Sequence, residues 1–192
     1  TSLAVQDRNE AAQLPPLTID DIRRYLCPEA NEAEAFMFLR LCQSQGLDPF
    51  LRDAYLIVYG QGKDRTATMI VGKDTFTKRA DSQPEFAGYR AGIIVIRDGE
   101  VLQLEGTFYL DGDKLLGGWA DVERKDRAVS SKALVRLSEY NTGRNLWAKM
   151  PATMIRKVAL VQGLREAFPS PFRGLYDASE MGVDATTLPE TH

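Results

Sequence analysis

AGIIVIRDGEVLQLEGTFYL, residues 91 to 110, decides the fold class. Two apolar, β-branched runs flank the tripeptide Asp98-Gly99-Glu100. Asp-Gly between such runs predicts a hairpin, because both residues tolerate the backbone of a tight reversal. The pattern repeats on the N-terminal side, where AYLIVY (54–59) and TATMIV (66–71) flank the loop GQGKDR. On the C-terminal side DGDK turns into LLGGWADVER (115–124), a third strand whose glycine pair predicts a bulge. KALVRL (132–137) reads as a further or edge strand. Strands and helices do not alternate, so a doubly wound nucleotide-binding sheet is not expected.

Helices stand outside these hairpins. Thr18 caps a short one over Ile19 to Leu26, stopped by Pro28. Asn31 with Glu34 forms a capping-box pattern, and the helix it opens runs through FMFLRLCQSQ to Gly46. TFTKRADSQ (75–83) is a short helix ended before Pro84. The last, MPATMIRKVALVQGLREAF (150–168), has Pro151 at its first position. At 100° per residue Met154, Val158, Val161, Leu164 and Phe168 share one arc. Lys157 falls inside that arc, Arg165 lies along it, and Arg156 projects elsewhere. Long cationic stems cover apolar surface while their heads reach water, or they face a bound polyanion. The expected fold is α+β: a small, largely antiparallel sheet built from hairpins and flanked by helices at both ends. Residues 1–16 read as a flexible arm, 17–181 as the core and 182–192 as a tail, with YDASEM the last ordered piece.

With 192 residues the chain makes one domain able to bury a core. No apolar run is long enough to span a bilayer and no signal peptide is visible, so a cytoplasmic location is expected. Cys27 and Cys42 fit no metal or redox spacing and read as free buried thiols in a reducing compartment. The formal net charge of −3 hides a pattern. Residues 121–165 carry ten basic and four acidic side chains, while 1–35 and 166–192 each carry a net −4. A basic segment between acidic ones fits a phosphate-binding face as well as a solvated surface.

Nucleophilic catalysis of the Ser-His or Cys-His kind is nearly excluded, since the one histidine is His192. The spacing GxxxxGK[ST] is missing, so neither ATP hydrolysis nor any cofactor is expected. One enzymatic alternative is a metal-dependent nuclease, with Asp111 or Asp113 on a turn and Glu123-x-Lys125 on the next strand resembling a D…ExK layout. A different pattern is broader. Arg52 follows a turn, and Lys73, Lys78 and Arg79 lie on or beside the short helix. Arg124, Lys125 and Arg127 stand in ERKDR, followed by Lys149, Arg156, Lys157 and Arg165. Phe50, Tyr55, Phe76, Trp119, Tyr140 and Trp147 are interleaved among them. Cations with interleaved rings are what sequence-independent single-strand binding uses.

The blocks LCQSQGLDPFLRDAYLI, VGKDTFTKRA, FAGYRAG, ERKDR, LWAKMPATMIRKVALVQGLREAF and GLYDASE, in that order, resemble the phage Bet/RecT family of single-strand annealing proteins. The resemblance covers about residues 20–181. It implies an ATP-independent homo-oligomer, ring or helical filament, that holds single-stranded DNA in a basic groove and anneals it in phage recombination. Arg52, Arg124, Lys125, Arg127, Arg156 and Arg165 fall where the family lines that groove, and Trp147 where it carries an aromatic before the last helix. The implied ligands are single-stranded DNA and the annealed duplex intermediate. The implied partners are a phage 5′→3′ exonuclease and a host single-strand-binding protein, within a phage-infected or prophage-bearing bacterial cell. Family members usually continue into a C-terminal partner-binding region, which this sequence is expected to lack.

Overall fold

The computed structural model describes residues 15–60 and 62–183, and gives no side-chain placement for Lys73. The expected arm and tail, and His192 with them, fall almost wholly outside the described residues. Two antiparallel sheets organise the rest. Strands β1 (Ala54–Tyr59) and β2 (Thr66–Val71) form a hairpin. Strands β3 (Phe86–Arg97), β4 (Glu100–Glu105), β5 (Lys114–Arg124) and β6 (Ser131–Arg136) form a four-stranded sheet in the order β4-β3-β5-β6. Helix α1 (Ile19–Asp21) opens the core and runs into a wide turn at Ile22–Leu26, closed where the Cys27 N–H donates to the Ile22 carbonyl at 2.8 Å. Helices α2 (Glu32–Gln45) and α3 (Lys73–Asp81) flank the hairpin; α4 (Leu137–Tyr140), α5 (Asn145–Lys149) and α6 (Pro151–Ala167) follow the sheet. The architecture is the expected α+β.

The caps form as the sequence predicts. Asn31 Oδ1 accepts from the Glu34 N–H at 2.9 Å, and Glu34 Oε2 accepts from the Asn31 N–H at 2.8 Å. Gly46 ends α2 at φ 61°, a left-handed position that favours glycine. Arg65 reaches from the β1–β2 loop to Glu34 at 2.7 Å, tying hairpin to helix.

Helix α6 lies across one face of the four-stranded sheet. Ala91, Ile93 and Val95 of β3, Ala120 and Val122 of β5, and Ala133 and Val135 of β6 are buried beneath it. Gly163 of the helix lies against this face, and elsewhere on α6 Ile155, Val158 and Leu164 have zero exposure, each worth about 1.5–3 kcal/mol of burial. The approach is close because the contact residues are small. A Cβ on Gly118 would collide with the Ile155 carbonyl, and one on Gly163 would sit 3.1 Å from Val122.

Three boundaries differ from expectation. Strand β3 starts at Phe86 rather than Ala91, because FAGYR pairs with β5 although it lacks an apolar run. Strand β4 stops at Glu105, where Gly106 turns at φ 80°. The segment between KALVR and Pro151, to which the sequence assigned no element, contains α4 and α5. The bulge expected at the glycine pair does occur: Ile94 faces Gly117 while Val95 faces Leu115, leaving Leu116 as the extra residue.

Candidate nucleic-acid interface

The turn before β1 sets the geometry. Asp48 Oδ1 accepts from the Phe50 N–H at 2.9 Å and caps the short turn Pro49–Leu51. Arg52 then takes φ 66°, uncommon for a residue with a side chain. Its carbonyl lies where a Cβ on Gly72 would stand, so only glycine fits there. The Gly72 N–H donates to the Asp53 carbonyl at 2.7 Å, and the Thr75 hydroxyl donates to the same oxygen at 3.2 Å. These bonds fix the start of α3 against the turn.

A cleft of about 330 Å³ opens between this turn, β2, α3 and α6. Arg52, Lys78 and Lys157 line it, with Tyr55 on its wall. Burial pushes the Tyr55 hydroxyl pKa up. Lys73 begins α3 beside the lining residue Gly72. Three carboxylates share the cleft. Asp53 accepts from the Asp48 N–H at 3.0 Å, and Asp74 sits in the first turn of α3. Asp177, at 1% exposure, holds Lys157 Nζ at 2.8 Å and accepts from the Ser179 N–H at 2.9 Å. Among the described residues Arg52 and Lys78 have no ion-pair partner; Lys157 does.

The remaining predicted cations divide by how they are held. Arg165 lies on Glu180 at 2.7 Å, donates to the Leu175 carbonyl, and stacks over Tyr176. Arg124 forms a fork with Asp126, donates to the Ala167 carbonyl at 2.7 Å and covers the Phe168 ring. The Asp126 hydrogen bond raises its pKa further. Arg79 donates to Gln45 and Pro171, joining α2 to the chain after α6, and burial lowers its pKa. These three guanidinium groups tie elements together. Lys125, Arg127 and Lys149 are exposed, and Arg156 is half-buried with its Nε on the Ala91 carbonyl at 3.2 Å. Helix α6 spans about 25 Å, so Lys149 before it and Arg124, bonded to the Ala167 carbonyl at its far end, do not form one cluster.

The aromatic residues are mostly core. Phe76 stacks on Phe172 with ring centroids 5.8 Å apart, Trp119 donates to the Leu104 carbonyl, and the Tyr140 hydroxyl accepts from Gln162. Trp147 is 4% exposed, so its ring face is unavailable for stacking in this conformation. Among the described residues its indole Nε1 has no partner, and the residue borders a second cleft of about 290 Å³, lined also by Arg144 and Thr142. Of the six interleaved rings only Phe50 is exposed.

Sequence reasoning missed the acids that hold the cations. Asp177 and Glu180 belong to GLYDASE, and the turn through Pro169–Pro171 folds that segment back on α6. The alternating charge of Lys157/Arg165 and Asp177/Glu180 on either side of a proline-rich reversal was the available signal.

The D…ExK grouping does not assemble and is corrected. Asp113 precedes β5 and Glu123 lies at its other end, about 30 Å away at the rise of a strand. Asp113 is also engaged by both donors of Arg97 at 2.7 Å. Among the described residues no group of three metal-ligating side chains forms, and no helix is long and apolar enough to cross a membrane.

The arrangement can hold phosphates along the cleft without reading bases, because its free cations, Arg52 and Lys78, are fork and point donors and the ring on its wall, Tyr55, is half-buried. Comparison with known proteins gives this geometry a context. A family model described as the RecT family matches residues 12–191. An uncharacterised protein of Ureaplasma parvum serovar 3 is 32% identical over 153 residues, covering 78% of this chain. The chain spans 62% of that relative's length.

Proposed function

The chain belongs to the RecT family, and from that premise we propose that it binds single-stranded DNA and anneals it to a complementary strand during phage recombination. It works as a binding and assembly protein, without nucleotide hydrolysis, in a ring or helical filament of identical subunits. The observation that carries this reading is the cleft in which Arg52 and Lys78, without an ion-pair partner among the described residues, stand near Lys157 of α6. Two phosphate backbones repel each other less when both lie along one row of cations. Exposed Lys125, Arg127 and Lys149 extend that row past the cleft. Annealing makes and breaks no covalent bond, so it asks for no nucleophile, metal or cofactor. The setting is the cytoplasm of a phage-bearing bacterium, with a phage 5′→3′ exonuclease and a host single-strand-binding protein as its partners.

The test mixes two complementary labelled oligonucleotides with the protein in buffer free of nucleotide and magnesium. Strand pairing faster than the spontaneous rate supports the reading. A strict requirement for ATP, or pairing no faster than without protein, overturns it. Cleavage of the labelled strands on adding magnesium would instead favour nuclease activity.

A further inference from the structure

The four-stranded sheet has two open edges of equal length. Among the described residues nothing pairs with the outer side of β4 or of β6, and each is six residues long. Neither contains a proline, and the inward-facing positions Leu102, Leu104, Ala133 and Val135 carry no charge. Prolines and inward-pointing charges are two of the devices that usually keep an edge from pairing. The two edges differ in charge. Strand β4 has Glu100 and Glu105 at its ends; β6 has Lys132 and Arg136. The four strands alternate in direction, so β4 and β6 of one subunit run opposite ways. A copy placed beside the first without being turned over therefore brings its β4 antiparallel to the first copy's β6.

The geometry points to a head-to-tail interface in which β4 of one subunit adds to β6 of the next, making one continuous antiparallel sheet. The partner is a second copy of this chain. This rests on the assembly proposed above and specifies its contact. Sheet faces fix the register to steps of two. On the helix-covered face β4 shows Leu102 and Leu104, opposite Val95 and Ile93 of β3, and β6 shows Ala133 and Val135. On the open face β4 shows Val101, Gln103 and Glu105, and β6 shows Lys132, Leu134 and Arg136. Setting Glu105 opposite Lys132 joins like faces and opposite charges. The same register sets Leu104 against Ala133, Leu102 against Val135 and Gln103 against Leu134. It also covers Val101 and Leu134, which are 64% and 61% exposed in the single chain. Glu105 already meets Arg90 at 2.8 Å and Lys132 meets Asp121 at 3.6 Å, so the joint gathers two carboxylates and two cations. Because the two patches are different surfaces, the contact repeats; it closes a ring or runs on as a filament.

Two measurements test this, with the fold of each variant checked by melting. Particle mass is measured across a concentration series, with and without single-stranded DNA. Glu105→Lys and Lys132→Glu should each raise the concentration needed for assembly about tenfold, and combining them should restore it. Second, Gln103→Cys with Leu134→Cys in one chain should give a disulfide ladder of dimers, trimers and higher species on oxidation. Within one subunit β4 and β6 are three strand spacings apart, about 14 Å, too far for a disulfide. Cys27 and Cys42 are buried and should stay silent. Val101→Cys with Lys132→Cys, out of register, should give no ladder. A wild-type chain that stays monomeric at all concentrations overturns both the assembly and this interface. A wild-type chain that assembles, while the charge variants assemble equally and the 103–134 pair gives no ladder, overturns the interface alone.

Discussion

Lys157 has its ammonium 2.8 Å from a carboxylate that is almost fully buried. Viewed along α6 alone, the residue reads as a stem covering apolar surface, and methionine would replace it without loss. Asp177 reverses that expectation, because Lys157→Met leaves a buried carboxylate without its partner. Removing one member of such a pair costs about 3 kcal/mol, and Lys157→Met should melt well below the wild type. Lys157→Met combined with Asp177→Asn should recover much of the loss in the same melting experiment. Twenty positions separate the two residues, and only the chain reversal after α6 brings them together, so the pair was not legible in the helix itself. Asp113 gives a pH signature. Its hydrogen bonds from Arg97 hold its carboxyl down to about 2, from an ordinary value near 3.8. A depressed folded-state value stabilises the protein above pH 4 and is lost as pH falls through 2. Asp113→Asn should therefore melt lower than the wild type at neutral pH, with the gap closing between pH 4 and pH 2.

At the scale of elements, hairpins and long helices were legible and short connections were not. Apolar runs on either side of short turns found β1 to β4; the arc of α6 found a buried face, but the side that meets the sheet is the opposite one, where Gly163 lies against Val122, Ala120 and Ala133 and Arg156 reaches the Ala91 carbonyl. Asn145–Lys149 escaped because five residues show no period, and its Trp147 is buried by tertiary contact. The glycine pair in β5 was read as a bulge, yet Gly118 also marks where helix and sheet touch. Gly118→Ala must displace the Ile155 carbonyl, backbone that cannot rotate aside. The expected cost is about 1–3 kcal/mol, seen as a lower melting temperature with the DNA salt dependence unchanged. The candidate site was legible as a list of cations, but not as two classes. Paired guanidinium groups and free ones have the same sequence appearance, and only the folded chain separates Arg124 and Arg165 from Arg52 and Lys78.

For the whole molecule, that division predicts how binding responds to salt. A cation already neutralised by its own protein holds few counterions to release. Arg52→Gln and Lys78→Gln should each lower the slope of log affinity against log salt by about 0.7 on single strands. Arg79→Gln and Arg124→Gln should leave the slope nearly unchanged and lower the melting temperature instead. Another feature acts on the molecule in time. The Val71 N–H donates to the Tyr176 carbonyl at 2.9 Å, and Val71 bridges Asp177, roughly 100 residues later. The β1–β2 hairpin thus leaves the ribosome early, while the strand-like segment that covers its edge is among the last parts of the described chain to be made. Synthesis at 5–20 residues per second leaves that edge waiting for about 5 to 20 seconds, a period in which a chaperone or a neighbouring nascent chain can occupy it.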